Sequence, residues 1–118
     1  MDTTFELAPE KWSRYFDEVG TELLNADVSI EVIAAGERQL EASRLALQAL
    51  SYDRRDDVFE VAGARGSAHL PSVVRHLVDH PERIAVDSTA MAPTKITVDD
   101  RDGVRTVVTI ERSAAFAG

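Results

Sequence analysis

The sequence predicts an α+β fold in which two helices pack on about six mostly antiparallel strands. Three observations support this prediction: two segments with apolar residues at helical spacing, several short segments with alternating apolar residues, and two aspartate-rich stretches typical of hairpin turns. With 118 residues, the chain is long enough for one domain with its own hydrophobic core. We therefore expect a single domain over residues 1–118, in which residues 1–8 form a flexible lead-in and residues 113–118 a flexible tail.

The first predicted helix runs from about Pro9 to Leu24. Proline is favoured at the first helical position, and Glu10 carries its negative charge where the helix dipole favours one. One face of this helix is apolar and largely aromatic, so we expect it to pack in the core. The residues of this face are Trp12, Tyr15, Phe16, Val19 and Leu23.

Two strands are predicted after this helix. Alternating apolar residues indicate a half-buried strand over Val28–Ala34, which is followed by a polar segment at 36–41. The second strand covers about Ala42–Tyr52. Its apolar residues change face between Leu47 and Leu50, which predicts a β-bulge within it.

The stretch SYDRRDDV, residues 51–58, places three carboxylates within five residues. A calcium loop of the EF-hand type requires a glycine at its sixth position, and this stretch contains none. Aspartate also stabilises turns by bonding to the neighbouring backbone. We interpret Asp53–Asp57 as a hairpin turn that leads into a third strand over Val58–Ala62, with Tyr52 turned inward and its hydroxyl on a polar partner.

The second predicted helix runs from Leu70 to about Asp79. Proline is tolerated at Pro71, in the first turn of a helix, and Pro81 is expected to end the helix. The apolar residues at helical spacing in this segment are Leu70, Val73, Val74, Leu77 and Val78.

Three histidines, His69, His76 and His80, are the candidate metal ligands of the sequence. On an ideal helix they lie on one side, and the i, i+4 spacing of His76 and His80 allows two imidazoles to bind one zinc ion. The HEXXH motif is absent and His80 precedes a proline, so structural roles also fit these residues. No cofactor is expected. A metal-binding or small-ligand-binding function at the histidines is the alternative functional hypothesis.

Three further strands complete the predicted sheet: Ile84–Asp87, Lys95–Asp99 and Arg105–Glu111. The last two flank a second aspartate-rich stretch, TVDDRDGV (97–104), which matches SYDRRDDV at four positions. This match supports the hypothesis of a double αβββ unit. The alternative is a strongly bent sheet that closes toward a small Sm-like or SH3-like barrel with an N-terminal helix.

Composition and motifs exclude several functions. The formal net charge of −8 disfavours nucleic acid and membrane as partners, and the chain contains no cysteine for disulfides, thiolate ligands or nucleophilic catalysis. No apolar run can span a bilayer and the N-terminus does not resemble a signal peptide, so we expect a cytoplasmic protein. The GxSxG, GxGxxG and GxxxxGK[ST] motifs are absent. We therefore expect a non-enzymatic module that binds another protein, or a second copy of itself, at an exposed sheet edge.

Five segments together resemble a known family. They are KWSRYFDEV (11–19), VSIEVI (28–33), LQALSYDRRDDVFEVA (47–62), VRHLVDHPERIAVD (74–87) and ITVDDRDGVRTVVTIE (96–111). They are similar to short, uncharacterised bacterial proteins classed as a domain of unknown function, with a W-x-x-Y-F helix, a SYD-x-x-DD hairpin, an RHL-x-x-HP segment and a DG hairpin. The resemblance covers residues 11–111 and implies a small soluble α+β protein. It implies no activity, cofactor or catalytic residue.

Overall fold

The computed structural model describes residues 3–65, 72–89 and 92–111. These residues form one antiparallel sheet with the strand order β1-β6-β7-β8-β2-β3-β4-β5, together with one α-helix. The elements are β1 (Thr3–Leu7), a 3-10 turn (Pro9–Lys11), α1 (Trp12–Glu22), β2 (Asp27–Ala34), β3 (Glu37–Asp53), β4 (Val58–Arg65), β5 (Ser72–Asp79), β6 (Pro81–Ser88), β7 (Pro93–Asp100) and β8 (Arg105–Glu111). In the described part of the chain, no helix has both the length and the apolar character needed to cross a membrane.

The predicted α+β fold with two helices on about six strands is wrong. The described ranges contain one short helix and eight strands, so the protein is nearly all β. The segment predicted as the second helix forms β5 from residue 72 onward, and its residues 70 and 71 lie outside the described ranges. The double αβββ unit is wrong for the same reason, because its second half lacks the helix.

The N-terminal segment also differs from the prediction. Residues 3–7, expected to belong to a flexible lead-in, form β1 and pair with β6 from Thr3 opposite Ser88 to Leu7 opposite Ile84. Leu7 is buried and anchors this strand to the core. The predicted flexible tail, 113–118, lies outside the described residues.

Helix α1 lies within the predicted range and buries the predicted face except for Tyr15, which is half-buried. The indole Nε1 of Trp12 donates a hydrogen bond to the carbonyl oxygen of Leu7 at 3.0 Å, which fixes the start of the helix against β1. The helix approaches β3 closely at Gly20, where an added Cβ would lie 2.7 Å from the carbonyl oxygen of Leu50. The side chains that α1 and the residue after it bury are Trp12, Phe16, Val19 and Leu23.

Strand β3 contains the predicted bulge. Its pairing with β4 shifts in register between Leu47 and Ala49, and both Leu47 and Leu50 are buried on either side of the shift. This confirms the interpretation of the change of face. The second strand begins earlier than predicted: residues 36–41 are exposed, but after a tight turn at Ala35 and Gly36, with φ values of 52° and 81°, the chain enters β3 at Glu37 and not near Ala42.

The sheet curls until its two ends meet at His80. Strand β5 is one edge of the sheet and β6 lies beside the other edge, yet His80 alone separates them in sequence. A flat eight-stranded sheet cannot bring these positions together, because neighbouring strands lie about 4.8 Å apart. The N–H of His80 donates to the carbonyl oxygen of Asp57 at 2.9 Å, and its own carbonyl oxygen accepts from the N–H of Arg101 at 3.0 Å. These bonds close one end of the curled sheet.

The concave side of the sheet holds a single core to which the helix and all eight strands contribute. Fully buried side chains come from both halves of the sheet, including Phe59 on β4 and Ile96 on β7. The helix packs on β3. Its Phe16 also packs against Phe59 on β4, with ring centroids 5.2 Å apart. The core therefore lies between the curled sheet and one short helix.

Candidate functional site

Three turns meet at the closed end of the sheet: the turn that ends at Asp57, the corner at His80 and the turn at Arg101. The backbone of His80 bonds to the other two, and Asp57 is the centre of the side-chain contacts. The hydroxyl of Tyr52 donates to Oδ1 of Asp57 at 2.6 Å, and Nδ1 of His80 lies 3.1 Å from its Oδ2. Asp57 has a positive φ of 55°, which is tolerated because aspartate adopts this conformation more readily than most residues. The cluster Tyr52–Asp57–His80 is the most connected group of polar side chains among the described turns.

The protonation states in this cluster follow from its contacts. Burial, followed by the hydrogen bond to Asp57, raises the pKa of Tyr52 from 10.0 to about 12. The hydrogen bond from Tyr52, followed by the one from His80, lowers the pKa of Asp57. At neutral pH the phenol is therefore a donor and the carboxylate an acceptor. Within the described residues, the side chain of His80 contacts Asp57, so the cluster holds two turns together at the closed end of the sheet.

The Tyr52–Asp57 contact predicts a specific alkaline titration. Because the pKa of Tyr52 is higher in the folded state, its contribution to stability is complete below pH 10.0 and is lost as the pH rises toward about 12. Burial also raises the pKa of Tyr15. We therefore expect the last phenolate absorbance step of the wild type, at about pH 12, to be absent in Tyr52→Phe, which keeps the step of Tyr15. In Asp57→Asn this step is expected at a lower pH. Titration of all phenols of the wild type near their ordinary pKa would contradict the contact.

The structure separates the histidines proposed as metal ligands. His76 lies on the inner face of β5, half-buried, with its Nε2 3.4 Å from Oγ1 of Thr106, whereas His80 lies at the corner beside Asp57. His69 is outside the described residues. The argument from helical spacing no longer applies, because β5 is a strand. Residues 3–65, 72–89 and 92–111 contain no group of three His, Cys, Asp or Glu side chains that could hold a metal ion. The metal hypothesis stays a prediction from sequence.

The burial of His76 predicts acid sensitivity. Burial lowers the pKa of His76, so the unfolded chain takes up this proton at a higher pH than the folded protein does. Stability from the neutral ring is complete above the ordinary value of 6.5 and is lost as the pH falls from there toward the lowered pKa. Urea denaturation across this range should show a smaller loss of stability for His76→Gln than for the wild type. Parallel pH profiles of the two proteins would contradict the placement of His76.

A groove with a volume of about 320 Å³ lies between α1 and β3 and is a candidate ligand cavity. Asp17 is the one ionisable residue of its lining, which otherwise includes Thr21, Leu24 and Gln48. General acid–base chemistry needs a second titratable group near the first, or a nucleophile beside its base. In the lining of this groove, Asp17 has no second ionisable side chain beside it.

The feature that sequence reasoning missed is the edge strand β5. It pairs with β4 on one side, and in the described structure no strand pairs with its other side. Val73 and Leu77, assigned to the buried face of a helix, are instead 58% and 51% exposed. A sequence signal was present, because the β-branched residues and the alternation of Val74, His76 and Val78 also fit a strand.

The outer face of β5 exposes two apolar side chains beside β4. Val73 lies opposite Ala64 and Leu77 opposite Glu60, so the small side chain of Ala64 leaves Val73 uncovered. Arg75, between them, is held by a 2.6 Å ion pair with Glu60. The other sheet edge, β1, is only five residues long and carries an ion pair to β6. β5 is therefore the longer and more apolar edge of the sheet.

Two comparisons place the chain among known proteins. A family model described as a family of unknown function, DUF5335, matches residues 3–117. An uncharacterised protein of Aquifex aeolicus (strain VF5) is 33% identical over 110 residues, which cover 92% of this chain and 92% of that protein. No solved structure matches the chain. These findings confirm the resemblance to an uncharacterised bacterial family: the chain belongs to DUF5335, a family of unknown function.

Proposed function

We propose that this protein is a non-enzymatic interaction module that binds an extended strand of a protein chain along β5. The observation that supports this proposal is the open edge of β5, where Val73 and Leu77 are 58% and 51% exposed. An added strand would pair with the free backbone groups of this edge and cover both side chains. Full burial of one such side chain contributes about 1.5–3 kcal/mol.

The edge is held in place before any partner arrives. Val78 is buried in the core, and His76 reaches Thr106 on β8 from the inner face. On the outer face, Glu60 holds Arg75. A docking strand therefore meets a preformed template, and little binding energy is lost in ordering it.

The experiment compares Leu77→Lys with a matched control. Leu40 on β3 is 57% exposed, and Leu40→Lys introduces the same change away from β5. Lysine on an edge strand opposes the addition of another strand. In a pull-down from the native host, followed by sizing chromatography, we expect the wild type and Leu40→Lys to retain the same partner and Leu77→Lys to lose it.

Folding is checked by urea denaturation, since exposed substitutions usually change stability by less than about 0.5 kcal/mol. Equal partner recovery by all three proteins would show that β5 is not the binding edge. A strictly monomeric wild type without a recoverable partner would contradict the interaction proposal itself.

A further inference from the structure

We infer that the strand bound by β5 is β5 of a second copy of this chain, paired antiparallel about a two-fold axis at Arg75. The inference rests on the proposed function and names its partner. A two-fold interface requires one surface patch to be complementary to itself. The outer face of β5 meets this requirement, because two apolar residues, Val73 and Leu77, flank Arg75 at equal distances in sequence.

The length of the free edge limits the pairing. The carbonyl oxygen of His80 already accepts the N–H of Arg101 at 3.0 Å, so the side of the chain that faces β7 is occupied there. Among the residues that the structure describes, the free span is therefore about 72–78. A pairing centred on Arg75 uses all of this span, with Ser72 opposite Val78 of the second copy.

Side-chain matching selects the same register. Residues opposite each other in an antiparallel pair lie on the same face, so the two-fold axis must pass beside a residue. Centred on Arg75, Val73 lies opposite Leu77 of the second copy, and this apolar pair occurs twice. Centred on His76, Val73 lies opposite the charged Asp79 of the second copy. The register at Arg75 therefore buries the most apolar surface.

The charges on β5 and β4 are compatible with the pairing centred on Arg75. The one unfavourable contact brings Arg75 opposite Arg75 of the second copy, which is destabilising for free charges. In each copy, Arg75 forms an ion pair with Glu60 of the same chain at 2.6 Å. The two arginines and two glutamates therefore form a row of four charges that is neutral overall. Residues 72–79 carry one base and one acid in a chain of net charge −8, so this strand itself adds no net charge to the repulsion between copies.

Single cysteines test the register, because the chain contains no cysteine of its own. Opposed residues of an antiparallel pair have Cα atoms about 4.5–5.5 Å apart, within the range of a disulfide. Under mild oxidation we expect Arg75→Cys to form a covalent dimer. Val73→Cys alone and Leu77→Cys alone should remain monomeric on a non-reducing gel, whereas their mixture should form the mixed disulfide. Leu40→Cys is the control: it places an exposed cysteine away from β5, so any dimer that it forms measures cross-linking by random collision.

Sedimentation equilibrium gives a test without cysteine. Arg75→Thr combined with Glu60→Gln removes all four charges of the row and is expected to strengthen self-association, whereas Glu60→Gln alone leaves the arginines unneutralised and should weaken it. Leu77→Lys should abolish it. A different partner that offers a carboxylate to Arg75 predicts the reverse for the double variant, namely weaker binding.

The outcomes separate the two proposals. No specific cross-link and a monomeric wild type, together with a host protein that Leu77→Lys fails to capture, would overturn the pairing of two copies and leave the interaction module standing. Cross-linking of Val73→Cys with itself would overturn the register. Loss of both self-association and capture in the wild type would overturn both proposals.

Discussion

Replacing Phe59 by alanine is expected to lower the free energy of unfolding by about 3–5 kcal/mol. Phe59 on β4 is fully buried, and its ring centroid lies 5.2 Å from that of Phe16 on the helix. It also lies opposite Tyr52 on β3 and Val78 on β5. The substitution therefore leaves a cavity at the point where the helix, the hairpin and the edge strand meet.

Urea denaturation measures this loss, and Phe5→Ala is the matched control. Phe5 on β1 is 39% exposed, and its ring contacts Tyr15 at a centroid distance of 6.4 Å. We expect Phe5→Ala to cost about 1 kcal/mol or less, as is usual for exposed positions. Similar losses for the two variants would contradict a core centred on Phe59.

Replacing Tyr52 by alanine is expected to cost about 3 kcal/mol. The ring of Tyr52 packs edge-on against Trp12 with centroids 5.1 Å apart, and its hydroxyl bonds to Asp57 at 2.6 Å. Tyr52→Phe keeps the ring and removes the hydroxyl, so it should cost only about 1 kcal/mol. Urea denaturation of both variants separates the packing of the ring from the hydrogen bond.

The aspartates of the same turn are the internal control of this series. Asp53 accepts the backbone N–H groups of Arg55 and Asp56, at 2.9 and 3.3 Å, as a turn aspartate should. Asp57→Asn weakens two side-chain contacts and should cost about 1 kcal/mol. Asp56→Asn should change stability by less than about 0.5 kcal/mol. A loss of several kcal/mol at Asp56 with a benign Tyr52→Ala would make the hairpin interpretation wrong.

Of the two side-chain contacts in the Tyr52–Asp57–His80 cluster, the sequence predicted the one made by Tyr52. An inward Tyr52 with a polar partner follows from the hairpin turn, and the partner, Asp57, lies five residues away in the same stretch. His80 is 23 residues from Asp57 and joins the cluster only because the curled sheet returns the chain to this point. Hairpin chemistry is local, whereas the closure of a sheet depends on the pairing of all its strands.

The edge strand β5 shows why part of the fold was not predictable. Its apolar residues, including Val73, Val74, Leu77 and Val78, satisfy a helical period and also occupy both faces of a strand. Over eight residues, periodicity alone does not distinguish these structures. The helix prediction placed Val73 and Leu77 inside the protein. It therefore did not predict that these side chains are exposed on an edge strand.

Three elements follow from local signals in the sequence. Helix α1 follows from one apolar face of correct period, the bulge in β3 from a change of face, and the turn at Asp53–Asp57 from aspartate chemistry. By contrast, the strand at residues 72–79 and the closure of the sheet at His80 depend on contacts between distant parts of the chain. Strand β5 gains its hydrogen bonds and the contact between Val78 and Phe59 from β4, and such distant pairing overrides a weak local preference.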